Sequence, residues 1–352
     1  MATRQKNDGV SNKNDYIERL NSMLSNNGNQ TGSLVLDLFA GCGGLALGFE
    51  SQGFRTIGYE MNLDCCNSYN KNLYGKCNQL FLSTKTVYPE ARVVIGGPPC
   101  QPFSVGGKQK GIDDERNGFP AFIAAIEKVN PDIFLIENVR GLLYRNKWYL
   151  DEITDQLMEL GYIVEYKLVN AIDYDVPQNR ERIIIIGHRG IYKFPTKNTY
   201  RVTAGEALGD MAFSTPDDSK FLTPGMDRYV ANYERASKCV NPRDLNLDKP
   251  ARTLTCRNLA GATGDMQRIK LPDGQRRRLV AREAARLQSF PDWFMFEGGT
   301  ESVFNQIGNA VPPFFAFHLA KSIADYLESS FRYNEKEITK QQKTNKQLSL
   351  FA

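Results

Sequence analysis

Five short apolar runs, separated by helix-length stretches, constrain this chain more than any other feature. They are LVLDLF (34–39), TIGYE (56–60), ARVVIGG (91–97), DIFLIENV (132–139) and RIIIIG (182–187). A continuous apolar run closed by glycines is what a strand covered on both faces looks like, because neither face meets water. Helical stretches fall between several of them, notably Phe122–Lys128 and Leu150–Leu160. The alternation predicts an α/β sheet with helices on both faces.

The texture changes between about 190 and 300. Gly, Pro, Asp and Arg become frequent, helical periodicity is scarce, and short segments such as ARTLTC (251–256) stand between turns. The expected organisation is a polar extension over 1–30 with a short helix at Asp15–Leu24, and a main domain over 31–190. A smaller, irregular and partly β domain over 191–278 follows. The chain then returns to the main domain over 279–330, with helices at Ala281–Ser289 and Pro313–Leu327, and ends in a flexible Lys/Gln-rich tail over 331–352.

Composition narrows the class without naming it. With 41% hydrophobic and 24% charged residues the chain can bury a sizeable core. A formal net charge of +4 is compatible with nucleic acid but does not argue for it. Arg268, Lys270, Arg276, Arg277, Arg278, Arg282 and Arg286 form a cluster of the kind that meets phosphates, and a solvated face with ion pairs is the plainer reading. The seven cysteines include no CxxC pair at zinc spacing, so neither a metal site nor a disulfide scaffold is expected, and the compartment reads as reducing. The first 30 residues lack an apolar signal region, and no run approaches the roughly 20 apolar residues of a membrane span; a soluble intracellular protein is expected.

Two motifs carry chemistry. The first is D-L-F-A-G-C-G-G-L, Asp37 to Leu45, at the end of the first run. Gly41, Gly43 and Gly44 let the backbone turn tightly against a ligand, and the following helix offers its N-terminus. Glu60, at the end of the next run, is placed to take the hydroxyls of a ribose. Gly41-x-Gly43-x-x-Ala46 also fits a dinucleotide fingerprint, so a NAD-dependent Rossmann oxidoreductase is the rival reading at this point. Asp37 favours a ligand with a free amino group over one with a pyrophosphate. The second motif is G-G-P-P-C-Q-P-F-S, Gly96 to Ser104. It puts Cys100 at the carboxyl end of a central strand, where α/β sheets bind ligands. The glycine-punctuated polar segment 104–119 after it reads as a lid.

P-C-Q-P-F-S followed by G-K-Q-K-G resembles the signature of the DNA cytosine-5 methyltransferase family. Further blocks follow in family order: E-N-V (137–139), Q-N-R-E-R (178–182), R-E-A-A-R-L-Q-S-F-P (282–291) and Q-I-G-N-A-V-P-P (306–313). The resemblance spans about residues 33–327. It implies a Rossmann-like S-adenosylmethionine-dependent methyltransferase sheet with a second, smaller, irregular or β-rich target-recognition domain. The implied reaction is sequence-specific transfer of a methyl group from S-adenosyl-L-methionine to C5 of a flipped-out cytosine in double-stranded DNA. Cys100 would add to C6, Glu137 would protonate N3, Arg182 would hold O2 and Arg180 would steady the site. The donor would meet Asp37, Phe39, Gly41, Gly43, Gly44, Glu60, Met61, Gln79, Leu80, Pro99, Asn309 and Val311. Ser104, Lys108 and Gln109 of the lid, with Thr253, Arg257 and Asn258, would face DNA, and Gln267 is a further candidate base reader. A bacterial, cytoplasmic, nucleoid-associated monomer of a restriction–modification system is implied. The tRNA cytosine-5 methyltransferases share the Pro-Cys and E-N-V blocks and form the alternative; their Cys-Phe-Thr stretch is absent here.

The sequence departs from the family in one stretch. Gln79 and Leu80 stand where an Asp-Ile pair usually contacts the donor's adenosine, and Arg92 replaces an acid. The tail ends Q-L-S-L-F-A, where Gln347, Leu348, Leu350 and Phe351 resemble the short peptide that docks bacterial proteins on the replication sliding clamp.

Overall fold

The computed structural model describes residues 13–25, 32–100, 117–236, 238, 243–261 and 265–329. The chain opens with α1 (Lys13–Met23) and then alternates: β1 (Leu34–Leu38), α2 (Gly44–Glu50), β2 (Arg55–Glu60), α3 (Leu63–Asn72), β3 (Lys76–Gln79) and β4 (Val93–Gly96). Next come α4 (Phe119–Val129), β5 (Ile133–Val139), α5 (Gly141–Tyr144), α6 (Lys147–Glu159), β6 (Ile163–Asn170), β7 (Gln178–Asn179) and β8 (Glu181–His188).

The main sheet runs β3-β2-β1-β4-β5-β8-β6. Its first five strands are parallel, and β8 pairs antiparallel with both β5 and β6. Alternate residues of the central strands serve two cores, which is why those runs are apolar throughout. Val35, Val93, Ile95, Ile133, Leu135, Ile184 and Ile186 face the core covered by α2 and the last helix. Leu36, Leu38, Val94, Phe134, Ile136, Ile183 and Ile185 face the core under α4 and α6. The α/β expectation holds, and all five foreseen runs are strands. β3 and β6 were not foreseen. β3 reads KCNQ at the sheet edge with a single buried residue, so it carries no apolar run to betray it.

The order turns around β1: the chain leaves it for β2 on one side and reaches β4 on the other. A crevice opens at such a switch point, outside the carboxyl ends of the strands. Register makes the neighbours explicit. Leu38 pairs with Gly96, Gly96 with Ile136, and Val139 with Arg182. The ends of β1, β4 and β5 and the start of β8 therefore lie side by side.

The remaining elements are α7 (Ala204–Leu208), α8 (Pro224–Ala236), β9 (Ala251–Arg252), α9 (Cys256–Ala260), β10 (Arg268–Lys270), β11 (Arg276–Arg278), α10 (Ala281–Leu287), α11 (Thr300–Asn309) and α12 (Pro313–Glu328). The expectation of a β-rich second region is corrected: its described residues hold three helices and only three strands of two or three residues. α8 escaped notice because Val230 is its one buried residue, which leaves no apolar stripe. α7 and α9 are set by capping boxes, Thr203 with Glu206 and Thr255 with Asn258, rather than by apolar periodicity. No helix among the described residues is long and apolar enough to cross a membrane.

Candidate active site

Donor side first. β1 ends in a turn in which Phe39, Gly41 and Gly43 all have positive φ, at 57°, 55° and 90°. The Glu60 carboxylate ties this turn to the end of β2: one oxygen accepts from Gly41 N–H (3.0 Å), the other from Asn62 N–H (2.8 Å). Gly44 opens α2 against the far end of the chain. A Cβ there would lie 2.4 Å from the Val311 carbonyl oxygen, so no other residue fits without movement. Asp37 lies buried beneath the turn, and neither of its oxygens has a hydrogen-bond partner of good geometry among the described residues. Burial raises its carboxyl well above the usual range; the Glu60 charge adds to this and the Ala46 N–H offsets part of it. A buried, unpartnered carboxylate is costly unless a donor or cation joins it. The chemistry fits a ligand bearing an ammonium group.

Met61, Gln79 and Leu80 form a rim at the ends of β2 and β3. The Gln79 amide donates to the Met61 carbonyl (3.3 Å) and Leu80 N–H to the Glu60 carbonyl (2.8 Å). Met61 is 62% exposed and Leu80 41%. Leu63 and Phe81, exposed beside them, enlarge this apolar edge; no motif singles them out.

The acceptor side is built on β4, β5 and β8. Cys100 is buried and bridges to Asn117, whose amide donates to the Tyr149 hydroxyl. Pro99 accepts from Gly118 N–H (3.0 Å), and Gly118 lies against both the Pro99 and Phe39 rings. Asn138, buried in β5, donates to the Pro98 carbonyl (2.9 Å) and so fastens the Pro-Pro-Cys segment to the neighbouring strand. The motif reading assigns it no role. Glu137 faces Gly97 with one carboxylate oxygen and pairs with Arg182 Nε at 2.9 Å through the other. Burial pushes the Cys100 thiol up to about 11, so it is protonated at neutral pH.

Arg180, expected to steady the site, is held by backbone. Its guanidinium is fully buried and donates to the backbone carbonyls of Leu254 (2.9 Å), Gly308 (3.2 Å) and Ala310 (3.0 Å). It binds the second region to the α11 end rather than reaching a substrate. Burial, then the Arg182 charge, lowers it to about 9. Gln178 and Gln288 add to the same buried knot: Gln178 accepts from Leu254 N–H, and Gln288 donates to the carbonyls of Ile307 and Ala310.

Three expectations for DNA are corrected. Asn258 is buried, capping α9 and donating to the Thr253 carbonyl, and Gln267 is buried on the Arg252 carbonyl, so neither is free to read a base. The basic cluster is largely paired inside the fold. Arg268 is buried against Glu234 and Asp244, Arg277 against Glu283, and Arg286 meets Asp292. Arg276 meets Asp244, and Arg282 donates to the carbonyls of Pro291 and Phe294. Thr253 donates its hydroxyl to the Asn179 carbonyl (2.6 Å), and Arg257 is exposed. Arg257, Lys220 and Arg278 line a cavity of about 550 Å³ with Asp218, Cys256 and Glu301, and it contains none of Cys100, Glu137 and Arg182. Ser104, Lys108 and Gln109, and Gln347, Leu348, Leu350 and Phe351, lie outside the described residues.

The sequence matches the family described as C-5 cytosine-specific DNA methylase over residues 34–325. The Type II methyltransferase M.AplI of Arthrospira platensis is 52% identical over 324 residues, covering 91% of this chain and 94% of the relative. M.Eco47II of Escherichia coli is 34% identical over 338 residues, covering 84% and 79%. Among solved structures, a mutant DNMT2 of Spodoptera frugiperda matches with a TM-score of 0.64 at 18% identity, covering 83% of this chain and 100% of that one. The Entamoeba histolytica methyltransferase EhMeth matches with a TM-score of 0.66 at 17% identity, covering 85% and 99%. At such identities these two likenesses concern the fold alone.

Proposed function

The chain belongs to the C-5 cytosine-specific DNA methylase family, a DNA cytosine-5 methyltransferase using S-adenosyl-L-methionine, and on that premise we propose that it methylates a flipped-out cytosine through a covalent adduct on Cys100. The observation that carries this reading is that the Pro-Pro-Cys segment leaving β4 and the Glu137–Arg182 pair stand at neighbouring strand ends beside the Asp37 turn. When bound, the donor supplies an electrophilic methyl group on its sulfonium.

Glu60 takes the donor's ribose hydroxyls, Asp37 balances its ammonium, and Met61 with Leu80 covers the adenine. Asn309 and the Val311 carbonyl close the pocket from the far end of the chain. A stacked cytosine hides its C6 face, so the base must leave the duplex to reach Cys100. Cys100 loses its proton to solvent as its sulfur bonds to C6. The C5=C6 double bond opens towards N3, which takes a proton from Glu137, while Arg182 steadies Glu137 and holds O2. C5 then takes the methyl group as the S–CH3 bond of the sulfonium breaks to leave a neutral thioether, and N3 returns its proton to Glu137. Loss of the C5 proton to solvent re-forms the C5=C6 double bond, breaks the C6–S bond and frees Cys100, which is then reprotonated.

Specificity belongs to the 191–278 region in this reading, with the half-buried Thr253 and the exposed Arg257 as its contacts. The methylation protects a bacterial host's own sites, as the name Type II methyltransferase implies for the relatives. The enzyme acts as a monomer in the nucleoid-bearing cytoplasm. Gln347, Leu348, Leu350 and Phe351 dock on a sliding clamp, which raises the local concentration of enzyme on new duplex. Bisulfite sequencing of DNA from cells expressing the chain tests the function. One methylated cytosine within a fixed sequence context is expected, absent with Cys100→Ser; methylated tRNA with unmodified DNA would overturn it.

A further inference from the structure

Cys256 belongs to no motif and stands outside the chemistry derived above, yet it touches a residue of the donor pocket. It is the first residue of α9, and its sulfur lies 2.9 Å from Asn309 Oδ1, at the last residue of α11. The approach is built rather than incidental. A Cβ on Gly308 would lie 2.5 Å from the Cys256 nitrogen, so α9 reaches α11 only over a glycine. Arg180 clasps the two segments together, donating to the Leu254 carbonyl on one side and to those of Gly308 and Ala310 on the other.

We propose that Cys256 is a positioning residue for the methyl-donor site, its S–H donating to Asn309 Oδ1 and so fixing which end of the Asn309 carboxamide faces the donor. The inference rests on the reading that Asn309 lines the donor pocket. The polarity follows from the groups. A thiol in this half-buried place stays protonated, since burial raises it, and of the two ends of the carboxamide only the oxygen can accept from it; the Asn305 carbonyl, at 3.7 Å, is the more distant acceptor. With Oδ1 held, the NH₂ is the end left to meet the donor, and an NH₂ suits an anionic group such as an amino-acid carboxylate. A carboxamide free to turn over would present its oxygen to that anion for part of the time. The contact also joins the second region to the donor pocket, so this one hydrogen bond couples the two.

The test uses the full-length enzyme and its Cys256→Ala, Cys256→Ser, Asn309→Ala and double Cys256→Ala/Asn309→Ala variants. Affinity for S-adenosylhomocysteine is read by calorimetry, and donor KM and kcat by methyl transfer to DNA. Removing one hydrogen bond is expected to weaken donor binding about three- to tenfold in Cys256→Ala, with kcat at saturating donor within about twofold. Cys256→Ser keeps a hydroxyl donor and restores binding to within about twofold. The double variant is no weaker than Asn309→Ala, because the thiol acts only through the amide. The α9 capping box of Thr255 and Asn258 is untouched in all four, so melting temperatures stay close to the parent. Unchanged donor affinity in Cys256→Ala, or a serine variant no better than alanine, would overturn the inference while a weakened Asn309→Ala leaves the reading of Asn309 intact. Unchanged affinity in Asn309→Ala overturns both.

Discussion

Four acidic or nucleophilic side chains carry the proposed chemistry. Asp37, Glu60, Cys100 and Glu137 each close or follow an apolar run, so reading the runs as strands placed them at one edge of a sheet before any coordinates. What a sequence could not tell was how they are held. Glu60 accepts from Gly41 and Asn62 N–H as well as facing the pocket, so Glu60→Ala removes a turn support together with a ribose contact. Charge-assisted hydrogen bonds contribute about 1.5–3 kcal/mol. Donor affinity is expected to fall tenfold or more in calorimetry with DNA affinity little changed; an unchanged donor affinity would remove Glu60 from the site. Cys100 gives a pH signature. Its thiol is raised to about 11, so the neutral form persists below that value and at pH 8 about one molecule in a thousand carries thiolate. Alkylation of the free enzyme's Cys100 by iodoacetamide, followed by peptide mass spectrometry, should accelerate about tenfold per pH unit from 8 to 10. A plateau below pH 9 would contradict a thiol held neutral by burial.

Among the elements, the basic stretch 268–286 shows where sequence reasoning met its limit. Its arginines looked like a phosphate-binding face, yet Arg268 and Arg277 are buried and paired with acids. Glu234 and Asp244 lie far enough upstream that only the folded backbone joins them to Arg268, and the bridge between Asp244 and Arg268 does so for the aspartate. The same holds for Asn258 and Gln267, whose partners are backbone carbonyls of neighbouring turns. The distinction is measurable. Arg277→Met leaves Glu283 as a buried, uncompensated charge and should cost about 3–5 kcal/mol in denaturant unfolding, with little change in the salt dependence of DNA binding where the protein remains folded. Arg257→Ala, on an exposed side chain, should leave stability within about 0.5 kcal/mol and lower the slope of log affinity against log salt by about one. The opposite pattern would return the cluster to the DNA interface.

The whole molecule is more continuous than its composition implied. The polar N-terminal stretch includes α1, which buries Tyr16 and Leu20 and pairs Arg19 with Asp175, and Leu24 just after it is buried too. The core under α2 and α12 also takes in Val202, Ala204, Leu208 and Ala212, well past the expected edge of the main domain. The helix at Asp15–Leu24 is legible locally, but neither its docking nor that of 202–212 is, because each rests on a few apolar residues whose partners are distant in sequence. The strand order turns around β1, with β8 antiparallel between β5 and β6. It sets the cysteine after β4, the acid of β5 and the arginine of β8 at the strand ends beside the glycine turn of β1. What these strand ends do to cytosine is reached directly by one measurement. DNA with 5-fluorocytosine at the methylated position cannot lose a C5 proton, so the C6–S bond cannot be released once methyl transfer has occurred. Incubated with this DNA and S-adenosyl-L-methionine, the enzyme should form a denaturant-resistant complex whose nucleotide is mapped to Cys100 by peptide mass spectrometry. An unmodified Cys100 peptide, under conditions in which ordinary DNA is methylated, would contradict it.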